Sequence, residues 1–343
     1  MKRLVYLDWL RVLATIAVVT IHVTAGSVSK IQPGQHISWL EANLFETLSR
    51  WSVPGFVMIS GALLLQDQRM LTLTEFLKKR ASKVVIPFIV WSIFFYIYGA
   101  YIGYFPASIK SGIKLFITNG ISYHLWFLYM IVGIYLITPL LQIFVRQASK
   151  QHIQYFLLLW LYASVATRLS DFLIGVRFSI ELFFVTDYVG YFLLGYFLSH
   201  FEVPKRWRVI SYIGACLGFI GTFWGTYYYT LKGNGILNEN WYSYFSPTVL
   251  LFTIGIFVWF RYHFQESVQP LPLLLRGINQ ASLGIYIFHF WLMNNFLWKV
   301  YPQVGAHFHP IIALPINLLI TVILSTVLTL ILKKIPLVKK LVP

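Results

Sequence analysis

Apolar residues run along this chain in long blocks separated by short turns rich in Lys, Arg, Pro and Gly. A helix rises about 1.5 Å per residue, so a block of about 20 residues covers a hydrocarbon core of roughly 30 Å. Ten such blocks recur from end to end, at residues 6–28, 42–66, 84–105, 125–145, 153–170, 181–201, 209–231, 244–262, 281–301 and 310–332. They lack the alternation of barrel strands, and backbone groups in lipid must pair within their own segment, so each block predicts a helix. The chain therefore reads as an all-α, polytopic integral membrane protein with ten transmembrane helices, forming a single membrane domain over residues 1–343. Its loops are short and no repeat or appended catalytic domain stands out. Residues 71–84, LTLTEFLKKRASKV, predict an amphipathic helix on the inner surface.

Composition agrees with this pattern. Hydrophobic residues make up 58% and charged residues 11%, against roughly 25% charged in an ordinary soluble domain. Many Trp and Tyr fall near block ends, where the polar edge of a ring reaches the headgroups. The formal charge of +16 becomes topological once its 27 basic residues are sorted by loop. With the N-terminus inside, only Lys30, Arg50, Lys110, Lys114, Arg168, Arg177, Lys232 and Lys299 fall outside. The rest, among them Lys2, Arg3, Arg69, the Lys78, Lys79, Arg80 and Lys83 cluster and the Lys333 to Lys340 tail, fall inside, which predicts two cytoplasmic termini. No compact basic domain is left over for nucleic acid. The first block follows Lys2 and Arg3 as a signal peptide would, but Asp8, Trp9 and Arg11 interrupt the plain apolar stretch that cleavage requires. The single Cys216 excludes a disulfide framework.

Ionisable groups inside apolar blocks are costly, and so are functional candidates. In YLDWLRVLATIAVVTIHVTAG, residues 6–26, Arg11 and His22 are eleven positions apart. At 100° per residue that step returns to nearly the same face after about 16.5 Å. Asp8, one turn before Arg11, is placed to pair with it. A snorkelling anchor and a buried bridging imidazole would explain the two singly. Together they suggest a stripe facing a cavity, binding an anion at its inner end and moving a proton deeper in.

Other stretches leave two readings open. In RWSVPGFVMISGALLL, residues 50–65, Pro54 and Gly55 are expected to bend the helix, and Ser60–Gly61 permits close packing or approach to a ligand. Arg80 and Lys83 are spaced to share a helical face, as topology determinants or as a phosphate clamp. His124, Trp126 and Tyr129, in YHLWFLYMIVGIYLITP, form an interfacial aromatic belt or line the mouth for an acceptor such as a sugar, which stacks on flat rings. His289 and Asp187 lie inside the ninth and sixth blocks. Gly-rich phosphate loops, HExxH and GxSxG motifs are absent, and 11 acidic residues form no cluster suited to metal-dependent chemistry, so no metal site is expected.

Arg11 with His22, then VPGFVMISGALLL, the basic KKRASK turn, HLWFLYMIVGIYLITPLL and finally LGIYIFHFW, in that order, resemble the acyltransferase 3 family of bacterial membrane O-acyltransferases. The resemblance spans about residues 4 to 332, and the chain is similar to the stand-alone type without an extracytoplasmic domain. It implies a multi-pass protein of the bacterial plasma membrane that passes an acyl group, most simply acetyl, from cytoplasmic acyl-CoA to a hydroxyl of a surface or exported glycan or its lipid-linked precursor. It implies acyl-CoA as co-substrate and no permanently bound cofactor. The family's Arg and His of the first helix match Arg11 and His22. Its basic pair after the second helix, often two arginines, is matched by Arg80 and Lys83, and Lys cannot reproduce a bidentate phosphate contact. On this basis Arg11, Arg80 and Lys83 are expected to hold the CoA phosphates, and His22 to take the acceptor's proton. Tyr129 or Ser60 would supply the oxyanion donor, and His124, Trp126 and His289 would face the acceptor. A covalent acyl-enzyme is equally compatible. A glycan transporter or flippase, or an inactive membrane sensor or scaffold, are the competing readings of the same composition.

Overall fold

The computed structural model describes residues 4–32, 34–67, 72–176, 178–264 and 271–342. The topogenic charges Lys2, Arg3, Arg69 and Arg177, and Leu71 at the head of the surface segment, lie outside the described residues. Every predicted block is helical over most of its length. In chain order the α-helices are α1 Val5–Val28, α2 His36–Ser49, α3 Ser52–Leu64, α4 Leu73–Arg80, α5 Ile86–Tyr101, α6 Ile109–Ile117, α7 Trp126–Gln147 and α8 Lys150–Leu161. They continue as α9 Thr167–Ile174, α10 Tyr188–His200, α11 Lys205–Lys232, α12 Pro247–Phe264, α13 Leu273–Asn295, α14 Val300–His307 and α15 Pro310–Leu332. Pairing of strand type among the described residues is limited to the isolated bridge Lys30 to Ile236. Seven helical stretches among these residues are long and apolar enough to cross a membrane, which makes the chain a multi-pass membrane protein.

Three blocks differ from their sequence pattern for local reasons. The second divides at Arg50–Trp51 into α2 and α3. Pro54 has no N–H for the Arg50 carbonyl, so the helix ends ahead of it and Pro54 sits in the first turn of α3, where the missing donor costs nothing. The helix of the sixth block is confined to Tyr188–His200. Asp187 precedes it with φ +59° and is half exposed, its carboxylate 2.5 Å from Arg168, so it stands ahead of the helix and already paired rather than inside it. The helix of the ninth block begins at Leu273 and thereby includes Asn279.

α1 is the axis of the bundle. It packs against α2, α3, α12, α13 and α15, and 56% of its most apolar window is buried, against 22% for α11 at the periphery. Because α1 is enclosed, both ends of its polar stripe must face protein or a cavity. α3 and α10 approach so closely that the α-carbon of Gly61 faces the Phe192 carbonyl, and Gly195 faces that of Met58. Small residues allow this contact, which in lipid replaces the hydrophobic drive as the source of helix association.

The surface segment is α4, opened by a capping box in which Thr72 and Glu75 each satisfy the other's backbone N–H. It runs through a π-helical turn, Ala81–Val85, directly into α5. In that wider turn the three-residue step from Arg80 to Lys83 no longer returns to one face.

Candidate active site

Two cavities lie end to end along α1. The first, about 410 Å³, is at the Arg11 end, and Arg11, Ser60, Asp67, Arg80, Tyr135 and Tyr286 are among its lining. The second, about 390 Å³, is at the His22 end, lined by His22, Glu46, Arg50, His124, Trp126 and Tyr244 among others. Phe127 and Tyr286 belong to both walls, their ring centroids 5.5 Å apart, and so form a partition between the cavities. α1 is unbroken from Arg11 to His22, so the helical rise of about 16.5 Å separates the two side chains' attachment points.

At the arginine end each guanidinium is held before any ligand arrives. Arg11 Nη1 lies 3.6 Å from Asp8 Oδ1 and donates to Asn279 Oδ1 at 3.3 Å, while Asn279 Nδ2 donates to Asp8 at 3.1 Å. This three-way contact ties α1 to α13. Arg80 sits between the rings of Phe76 and Tyr135, 5.5 and 5.8 Å from their centroids, and Ser60 lines the same cavity. Two guanidiniums therefore face one cavity against a single wall carboxylate, Asp67, an arrangement suited to an anion. Lys83 is exposed on the π-helical turn and lines neither cavity.

At the histidine end three imidazoles meet. The His22 ring centroid is 4.9 Å from that of His289 and 6.4 Å from that of His124, and His124 and His289 are 5.4 Å apart. His22 is half-buried and reaches the cavity; His124 and His289 are buried. His22 stands six residues before the end of α1, about 9 Å from its far terminus and about 8 Å from its midpoint. Beyond it lies a buried ion pair that the sequence reading passed over. Glu46 accepts from Thr24 and from Arg50, and the Arg50 guanidinium stacks 4.2 Å above the Tyr242 ring. Trp126 stacks with Tyr244 at 6.1 Å, giving the cavity an aromatic wall beside this charge pair.

The predicted residues thus divide. Arg11, Arg80 and Ser60 share the arginine-end cavity; His22, His124 and Trp126 share the other; His289 sits against His22 but behind the cavity wall. Ser60 is at the opposite end from the imidazole it was expected to assist. Tyr129 lines neither cavity, because its hydroxyl is taken by the Phe116 carbonyl and its ring packs on Phe88 at 4.6 Å. Glu46 and Arg50 carried a readable signal, opposite charges one helical turn apart inside an apolar block. Asn279, just ahead of the ninth block, and Tyr135, in the middle of the fourth, did not, since uncharged polar residues and tyrosines at such positions are common.

Neither curated proteins nor solved structures returned a match to the chain. A family profile described as an acyltransferase domain matches residues 4–332, nearly the whole length, and takes in the two cavities and the partition between them. The chain belongs to the acyltransferase 3 family.

Proposed function

We propose that this protein is a membrane O-acyltransferase that takes an acyl group, most simply acetyl, from acyl-CoA on the cytoplasmic side and delivers it to a hydroxyl of a surface or exported glycan or its lipid-linked precursor. The supporting observation is the pair of end-to-end cavities on one side of α1, with guanidiniums at one and an imidazole at the other. In this proposal ten spans, α2 with α3 counted as one, cross a bacterial plasma membrane with the Arg11 end of α1 at the cytoplasm.

Arg11 and Arg80 bind the CoA phosphates at the interface, where charge is paired without entering lipid. Because Asp8, Asn279, Phe76 and Tyr135 already hold them, little side-chain freedom is lost on binding. The pantetheine arm extends along α1 past Phe127 and Tyr286, and the thioester arrives beside His22. The glycan enters the histidine-end cavity, where Trp126 and Tyr244 offer flat faces and the Glu46–Arg50 pair offers hydrogen bonds. His22 removes the proton from the attacking hydroxyl as its oxygen bonds to the thioester carbonyl carbon. The carbon–sulfur bond then breaks, the departing thiolate takes that proton, and free CoA and acylated glycan leave.

The test is purified protein in nanodiscs with radiolabelled acetyl-CoA and glycan prepared from the host surface. Acylated glycan and an equal amount of free thiol are expected from the wild type, and neither from His22→Ala. Intact thioester throughout favours a transporter or scaffold; undiminished transfer by His22→Ala removes His22 from the chemistry. For Arg11→Ala, loss of one charge-assisted contact of about 1.5–3 kcal/mol weakens acyl-CoA binding roughly 10- to 100-fold in a titration. Unchanged affinity would refute the phosphate role.

A further inference from the structure

The three imidazoles at the end of α1 differ in what their ring nitrogens touch, and those partners fix their tautomers. A backbone carbonyl only accepts, so a ring nitrogen facing one must carry the proton. His124 Nε2 lies 3.1 Å from the Ile287 carbonyl and is the protonated nitrogen; its Nδ1, 2.9 Å from Ser122 Oγ, accepts the hydroxyl. Both nitrogens are satisfied, so His124 is held as a neutral ring with no lone pair to spare.

His289 is the opposite case. Its Nδ1 lies 2.9 Å from the Ile285 carbonyl and carries the proton. That leaves Nε2 as a bare lone pair, without a partner, in a ring with no solvent exposure. A buried acceptor left unmade is destabilising, so an atom of this kind calls for a partner. The neighbouring ring is His22, 4.9 Å away between centroids and tilted by 46°. His22 lines the cavity and His289 does not, so His289 stands behind His22 as seen from the substrate side.

We infer that His289 is a positioning residue for His22, a role that rests on the acyl-transfer proposal. Its Nε2 lone pair accepts the N–H of His22, directly after a small ring rotation or through one water. Accepting that bond keeps the proton on the rear nitrogen of His22 and leaves the front nitrogen as the lone pair facing the acceptor hydroxyl. When His22 takes the hydroxyl proton, the rear N–H bond to His289 persists and steadies the imidazolium until the thiolate collects the proton. His289 already carries its proton toward Ile285 and remains neutral throughout.

Two measurements test this. In 15N-histidine spectra of the full-length protein in nanodiscs, His289 should appear protonated on Nδ1, and His22 as one tautomer that becomes mixed in His289→Phe. A His289 protonated on Nε2, or a His22 tautomer unmoved by His289→Phe, overturns the pairing, and neither result needs an active enzyme. Kinetically, His289→Phe should lower kcat about 100-fold while acyl-CoA affinity stays within about twofold, and His289→Gln, which returns an acceptor oxygen near the Nε2 position, should stay within about tenfold of wild type. Full activity in His289→Phe, or equal loss in both variants, assigns His289 to packing alone. A wild-type protein that transfers nothing would sink the acyl-transfer proposal instead, with the spectra still deciding the pairing.

Discussion

The contact between α3 and α10 yields a prediction whose size follows from the coordinates. A methyl group added at Gly61 would sit 1.8 Å from the Phe192 carbonyl oxygen and 2.6 Å from its carbon. Both are backbone atoms, so no side-chain rotation makes room. Restoring an ordinary separation of about 3.5 Å requires the helices to part by about 1.7 Å, and a gap of about 1 Å already forfeits up to half of each contact's attraction. The reciprocal contact, where a methyl at Gly195 would lie 2.0 Å from Met58 O, opens with it. Overpacking of this kind costs about 3 kcal/mol, and the better helix propensity of alanine returns about 1, leaving a net loss of about 2 kcal/mol. Gly133 in α7 is the matched control: nothing lies within 4 Å of a methyl there, so Gly133→Ala should gain up to about 1 kcal/mol. At about 2 °C per kcal/mol, thermal unfolding in one detergent should place Gly61→Ala roughly 6 °C below Gly133→Ala. Equal shifts in the two variants, or a Gly61→Ala protein as stable as wild type, would refute the backbone-contact reasoning.

Further outcomes follow from the site. Arg80→Ala should weaken acyl-CoA binding roughly tenfold or more, and Lys83→Ala should change it less than about twofold, since exposed charges contribute little; a titration giving Lys83 the larger effect would reassign the clamp. Arg50→Met strands the Glu46 carboxylate in a buried site and should cost about 3–5 kcal/mol, whereas the double change with Glu46→Leu should restore most of that stability. Additive losses in that cycle, followed by denaturation in detergent, would show that the pair is not coupled. Tyr286→Ala removes half of the partition and should raise acyl-CoA hydrolysis in the absence of glycan, read as free thiol; an unchanged hydrolysis rate would mean that the partition does not control water access.

The helical, membrane-embedded class was legible because lipid leaves the backbone few choices, and Arg11 and His22 were legible because a helical stripe depends only on spacing. What escaped depended on departures from ideal helices or on distant chain segments. Lys83 looked paired with Arg80 until the π-helical turn moved it off the face, a register change that composition does not announce. Tyr129 looked available because its partner, the Phe116 carbonyl, belongs to a helix 13 residues earlier in the chain. Asn279, which closes the contact with Asp8 and Arg11, lies 268 positions beyond the guanidinium that it holds. The break at Arg50 was half legible: Pro54 predicted a bend, and the missing hydrogen bond produced a full interruption, with Arg50 on the cavity wall beside its partner Glu46.

The aromatic wall built from Phe127 and Tyr286 bears on the energy economy of the cell as well as on chemistry. Any enzyme that hands a group across a bilayer risks becoming a leak, since a continuous wet path would let ions run down their gradients. Two cavities that meet at a pair of packed rings would avoid that hazard in the proposed reaction, because only a slender, uncharged tether would need to slip between them. On the proposed reaction, acylation of exterior sugars would thus draw on interior metabolism without discharging the membrane on which that metabolism depends.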